Sequence, residues 1–266
     1  MSDLSLTNTS VAALYREPSF ASEIISQSFL GETLTVLEAD DKWAHVRLED
    51  DYEGWLDSYH VVPKPEDWDG GQRYATDDLV SSIHESPDAS AIKIRDVTLL
   101  SELPLTGREE GWVKIRLPDG HQGWLRDNPR QSVDHADPEG IIATATRFLG
   151  IEYLWGGLSP KGFDCSGFVQ TVFALNGIQL PRDSYQQAEV GEALPNDWQA
   201  WEAGDLVFFT FYGKPIAHVG IVVGNGDIMH ASGYVRFNNL SDPQSELYSP
   251  SLVKAFVKAR RILNTH

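Results

Sequence analysis

Along the first half of the chain, apolar and polar residues alternate over short runs that break at turn residues, with no helical period. Alternation of this kind predicts short antiparallel strands. The pattern then recurs 69 residues later. Trp43-Ala44-His45-Val46-Arg47-Leu48 matches Trp112-Val113-Lys114-Ile115-Arg116-Leu117, and Gly54-Trp55-Leu56 matches Gly123-Trp124-Leu125. Upstream, Leu34 and Val36 match Leu103 and Leu105, and Pro18 matches Pro87. A duplicated unit this small is foldable if it closes its edges or packs on a neighbour. The expected domains are residues 1–64 and 72–128, with Pro65 to Gly71 as the linker between them. Asn128 to Gly140, polar and bearing Pro129 and Pro138, reads as the linker to a third domain over 138–266.

Past Gly140 the pattern changes. Ile141 to Leu149 predicts a short helix. Asp164 to Asn176 predicts a second, with Phe168, Val169, Val172, Phe173 and Leu175 as its buried stripe and Gly177 as its stop. From Asp205 the chain reads as strands: DLVFF, AHVGIVV, a turn at Gly224-Asn225-Gly226, then DIMHAS. Helices followed by an antiparallel sheet predict an α+β domain.

Cys165, the single cysteine of the chain, follows Asp164, a good N-cap residue. It therefore falls in the first turn of the second helix. Helix N-termini favour negative charge, so a thiol there is expected to have a lowered pKa. A lone cysteine is more often a small buried hydrophobe, so the surrounding residues must decide. His218 and His230 lie on two adjacent strands after the helix, AHVGIVV and DIMHAS. His218 is the candidate general base for Cys165, and His230 the candidate that orients it. Side chains alternate along a strand. The two histidines share a face if Gly220 pairs with His230, which needs a three-residue loop or a bulge between Val223 and Ile228.

Composition narrows the picture. The chain has 266 residues, 41% hydrophobic and 11% aromatic, enough for real cores. A formal net charge of −18 argues against nucleic acid and anionic membrane as partners. An anionic ligand would need a local cation. There is no apolar run of membrane-spanning length, no signal-peptide pattern and no pair of cysteines for a disulfide, so a cytoplasmic location is expected. Neither C-x-x-C nor H-E-x-x-H occurs, and no metal is expected. His45, His60, His84, His121, His135 and His266 receive no function. The tryptophans of the repeats read as core or rim packing. Oligomeric state is left open.

The first half resembles bacterial SH3-like domains, through its W-x-V/I-R-L and G-W-L pattern. From about Ile141 to Ile262 the chain resembles NlpC-type cysteine peptidases, papain-like enzymes that cleave cell-wall peptides. The motifs that carry this are Tyr153-x-Trp155-Gly156-Gly157, Phe163 to Phe168 (FDCSGF), Leu180 to Ser184 (LPRDS), Pro195, Gly204 to Phe209 (GDLVFF), Ala217 to Ile221 (AHVGI) and Met229 to Ser232 (MHAS). The joint resemblance implies two SH3-like β-barrels followed by an α+β papain-like domain. With two such barrels ahead, it points further to γ-D-glutamyl-L-diamino acid endopeptidases. These cut murein peptides carrying a free N-terminal L-Ala, in wall recycling, and need no cofactor. It implies Cys165 as nucleophile, His218 as base, His230 as its orienter and Tyr153 as an oxyanion donor. Asp164, Ser166, Arg182, Asp183 and Ser184 are implied to line the substrate groove, Arg182 as a fork for a substrate carboxylate and Asp183 for the L-Ala amine. Glu17 and Tyr52 are the candidates from the first barrel, with Asp51, Glu53 and Tyr59 as competitors. An amidase or acyl transferase, or a binding module with a weak peptidase domain, are the alternatives.

Overall fold

The structure, a computed structural model, describes residues 3–133 and 135–263. The expected domain ends at Met1 and His266, and the unassigned His266, lie outside the described residues. The chain divides into two compact units, Met1–Ser132 and Val133–His266.

Unit 1 is all β. Its first seven strands are β1 (Asp3–Thr7), β2 (Val11–Tyr15), β3 (Ile24–Phe29), β4 (Thr33–Ala39), β5 (Trp43–Arg47), β6 (Glu53–Asp57) and β7 (Val61–Pro63). They form an antiparallel sheet in the order β3-β2-β6-β5-β4-β1-β7. The next six are β8 (Arg73–Tyr74), β9 (Val80–His84), β10 (Lys93–Thr98), β11 (Leu103–Glu109), β12 (Trp112–Arg116) and β13 (Gln122–Arg126). Their order, β10-β9-β13-β12-β11-β8, repeats that of the first sheet without its last strand. The sequence repeat reappears as register. Trp43 pairs with Asp57 and Trp112 with Arg126. A bulge between Val36 and Glu38 recurs between Leu105 and Gly107.

Inward positions fill the cores: Leu14, Leu34, Val46 and Leu56 in the first sheet, and Ile83, Val97, Val113, Ile115 and Leu125 in the second. The second core also takes in Leu6, Leu30 and Trp68. Here the linker reading of 65–71 needs correction. Trp68 is 1% exposed, and its ring carries Arg73 and Arg116 at 5.6 and 5.4 Å. A buried indole stabilises by roughly 2–3 kcal/mol, so the segment is pinned rather than a free tether.

Unit 2 opens with helix α1 (Pro138–Thr146), three residues earlier than expected. Pro138, read from the sequence as a linker residue, sits at the helix start, where a missing N–H costs nothing. Asp137 caps it by accepting from the Gly140 N–H at 2.7 Å. A short hairpin, β14 (Leu158–Ser159) and β15 (Gly162–Phe163), leads into α2 (Cys165–Leu175). Every residue of α2 from Cys165 to Phe173 is buried, so it is a central helix rather than an amphipathic one. The short α3 (Ser184–Gln187) follows, then β16 (Glu192–Leu194), β17 (Leu206–Phe211), β18 (Lys214–Gly224), β19 (Asp227–Ser232), β20 (Tyr234–Asn239), α4 (Pro250–Ala255) and β21 (Phe256–Arg261). The strands make one antiparallel sheet, β16-β21-β17-β18-β19-β20, and α2 packs on β18 and β19. Among the described residues no helix is long and apolar enough to cross a membrane.

Candidate active site

The start of α2 is built around the Asp164 carboxylate. Its Oδ1 accepts from the Gly167 N–H at 2.6 Å, the capping bond of the helix. Its Oδ2 accepts from the Gly156 N–H at 3.0 Å. Arg182, 2% exposed, closes on both oxygens, with Nη1 to Oδ1 at 3.1 Å and Nη2 to Oδ2 at 2.6 Å. The Ser166 hydroxyl completes the network, accepting from Arg182 at 3.0 Å and donating to Asp164 at 3.3 Å. Bare Gly167 lets the Tyr153–Gly157 loop lie against the helix: a Cβ there would stand 2.0 Å from the Gly157 carbonyl oxygen. The sequence reading of Arg182 as an open fork for a substrate carboxylate is therefore corrected. The bidentate face of the guanidinium is taken by Asp164, and its work is to hold the loop-and-helix start together.

This network presents Cys165, which is 7% exposed. Its Sγ lies 4.0 Å from the carbonyl oxygen of Ala217, the residue before His218. The expected lowering of the thiol pKa is not what the site does. Burial pushes the thiol up to about 12, and the Asp164 charge adds to it; a backbone hydrogen bond from Val219, the Arg182 charge and the Ser166 N–H pull the other way without prevailing. A thiol held protonated needs a base to take its proton as it attacks.

The base side is a bonded chain. Between β18 and β19 the register shifts after Val222, so Val222 pairs with Ile228 and Gly224 with Asp227. Asn225 and Gly226 then form the turn with positive φ at both. This bulge is what the shared-face condition required: Gly220 lies opposite His230, and a Cβ on it would stand 3.3 Å from that of His230. His218 Nε2 and His230 Nδ1 are 2.6 Å apart, and His230 Nε2 lies 2.9 Å from Asn238 Oδ1. The Asn238 amide is oriented by donating from Nδ2 to the Leu247 carbonyl at 2.9 Å.

These bonds assign the protons. Asn238 presents an acceptor, so His230 Nε2 carries the hydrogen. A neutral His230 then has its lone pair on Nδ1, and His218 must donate from Nε2. The lone pair of His218 is left on Nδ1, the nitrogen away from His230, where it can serve as base. Burial keeps both rings neutral, pushing His218 down to about 3 and His230 to about 4, with the positive charge of Arg236 adding to each. Asn238 was not found from the sequence. Its signal was weak: alternate positions of a strand, β20, that sequence patterning did not single out.

Buried neutral histidines make stability pH-dependent. The unfolded chain binds protons at these rings near pH 6.5, while the folded rings resist until about 4 and 3. Stability is thus complete above pH 6.5 and lost as pH falls below it. Between pH 7.5 and 5.5 the loss should be about 3 kcal/mol for the pair, read as faster hydrogen exchange in β18 and β19. A His218→Gln/His230→Gln variant should show a flat profile there.

Tyr153 is held by its backbone, whose N–H donates to the Gly233 carbonyl at 2.8 Å. Burial, then the nearby Cys165 and Asp164, push its hydroxyl above the ordinary tyrosine value. It stays protonated and able to donate a hydrogen bond. Ser184, buried, begins α3. Asp183, half-buried, precedes it with its N–H bonded to Gln186 Oε1 at 3.1 Å. Glu17 and Tyr52 lie in unit 1, in the loops after β2 and before β6; Glu17 is exposed and Tyr52 half-buried. No cluster of metal-binding side chains occurs among the described residues.

Residues 150–261 match the NlpC/P60 family and residues 14–61 the bacterial dipeptidyl-peptidase Sh3 domain. The chain belongs to the NlpC/P60 family and is a cysteine peptidase acting on peptidoglycan peptides. Two relatives are each named gamma-D-glutamyl-L-lysine dipeptidyl-peptidase. That of Bacillus cereus is 30% identical over 260 residues, 91% of this chain and 76% of the relative. That of Bacillus subtilis is 33% identical over 226 residues, 78% of this chain and 72% of the relative. A crystal structure of an NlpC/P60 family protein from Bacillus cereus shares the fold, with a TM-score of 0.82 and 22% identity, covering 98% of this chain and 100% of that one.

Proposed function

We propose that the protein hydrolyses the γ-D-glutamyl–diamino acid bond of murein stem peptides that carry a free N-terminal L-Ala. The observation that carries the chemistry is the chain of bonds from Asn238 through His230 to His218, ending at a lone pair beside the strand that Cys165 touches. The names of the two Bacillus relatives support the choice of bond.

In this reading Cys165 Sγ attacks the γ-carbonyl of D-Glu as its proton passes to His218 Nδ1. The oxyanion is met by the Tyr153 hydroxyl and by the N–H of Cys165, which as a first-turn donor has no partner within its helix. Collapse expels the diamino acid amine, protonated by His218, and leaves a thioester on Cys165. Water, activated by the same imidazole, then releases L-Ala-D-Glu and restores the thiol. His230 keeps His218 in the required tautomer. Asp164, Ser166 and Arg182 hold the helix start. Asp183 and Ser184 face the acyl half, and Asp183 takes the amine of L-Ala.

The second sheet is read as a second SH3-like barrel. The repeated strand order, shared register and recurrent bulge support this. The same reading places the enzyme in wall-peptide recycling in the cytoplasm; its one cysteine, a free thiol, suits a reducing compartment.

The test compares L-Ala-γ-D-Glu-diaminopimelate with its N-acetylated form. The free peptide should be cut about 100-fold faster, since blocking the amine removes its charge-assisted hydrogen bond to Asp183. Equal rates would remove the amine pocket and the role of Asp183.

A further inference from the structure

A peptide with several carboxylates must be recognised by a chain of net charge −18, and the cation first in line for that task, Arg182, is engaged with Asp164. In unit 2, Arg260 and Arg261 hold Glu189 and Asp205. Arg236 differs: among the described residues its side chain makes no ion pair and no hydrogen bond, and its Nε is buried without a partner. Its guanidinium stands over the Tyr234 ring, 5.7 Å from the centroid. Arg236 lies directly opposite His230 in the β19–β20 ladder, so the two side chains leave the same face of the sheet. Asn238, two residues along, is on that face too and touches His230. Arg236 and Asn238 also line a cleft of about 400 Å³, together with Gly150, Tyr234, Glu246 and Leu247. Glu246 shares the cleft without pairing to Arg236.

The chemistry orients the substrate across this face. His218 must reach the leaving nitrogen to protonate it, whereas the acyl carbon must reach Cys165 at the α2 start. The acyl half therefore belongs on the α2 side, and the leaving half extends over the histidine strands toward β20. From β18 to β20 is two strand spacings, roughly 10 Å, a gap that an arginine side chain and an amino acid carboxylate reaching from opposite ends can close.

Resting on the function proposed above, we infer that Arg236 is the receptor for the α-carboxylate of the leaving diamino acid. The enzyme then selects peptides ending in a free carboxylate next to the scissile bond. A planar fork suits a carboxylate, and one half-buried beside an aromatic ring gains from the pairing. Occupation by a carboxylate also neutralises the Arg236 charge beside the catalytic imidazoles.

The experiment compares L-Ala-γ-D-Glu-diaminopimelate with the same peptide amidated at the diaminopimelate α-carboxyl next to the scissile amide. Wild-type enzyme should cut the free acid about 10- to 100-fold more efficiently, the range for losing a charge-assisted hydrogen bond, with most of the difference in KM. In Arg236→Gln that ratio should fall to near one, and Arg236→Lys should restore part of it. A wild-type ratio near one overturns the inference without any variant. An Arg236→Gln enzyme that keeps the full ratio assigns the selection elsewhere and overturns it too. If wild type cuts neither peptide, the proposed function itself has failed and the inference falls with it.

Discussion

Replacing Cys165 with serine should lower peptide hydrolysis by about 10⁴-fold or more, as loss of the nucleophile does in other covalent hydrolases. The size follows from the site. A hydroxyl is a far weaker acid than a thiol, and burial has already pushed the thiol up to about 12. A serine there would ask His218, a ring that burial already makes a weak base, to remove a proton held far more tightly than that of the thiol. The variant should fold, because the exchange is small and the Asp164 cap is untouched. Equal melting temperatures with activity lost would assign the effect to chemistry. Retained activity would mean that Cys165 is a packing residue.

Arg182→Met should cost about 3–5 kcal/mol of unit 2 stability, the loss expected when one partner of a buried pair is removed. The side chains of Arg182 and Asp164 are only 1% and 12% exposed, so water cannot replace the guanidinium. Two backbone N–H groups and the Ser166 hydroxyl still bond Asp164, but they do not neutralise it. The uncompensated charge would stand beside Cys165, where it already raises the thiol pKa, so activity should fall with stability. Adding Asp164→Asn removes the stranded charge and should recover part of the stability. Urea unfolding of wild type, Arg182→Met and the double variant measures this. A single variant as stable as wild type would show that the pair holds nothing together.

What could be read from the sequence was local or periodic. The 69-residue repeat foretold two sheets of like topology, because alternation and turn residues fix register within a hairpin. Cys165 at a helix start followed from Asp164. The shared face of His218 and His230 turned on one geometric condition, which the bulge after Val222 satisfies. What stayed hidden depends on groups that meet only in the folded chain. Arg182 looks free until Asp164, eighteen residues away, is folded against it. The thiol looks activated until its burial is known. Trp68 sits in a Pro/Gly/Asp-rich run that reads as a loop, yet its indole completes a core. Strand β20 has weak alternation, and with it went Asn238 and Arg236, which gain meaning only opposite His230.

The most direct measurement is the identity of the products. Wild type and Cys165→Ser would be incubated with L-Ala-γ-D-Glu-diaminopimelate and the products weighed by mass spectrometry. The mechanism predicts L-Ala-D-Glu and free diaminopimelate from the wild type, and intact peptide from the variant. Release of L-Ala alone, which means cleavage at the other amide, or the same products from the variant, would contradict it.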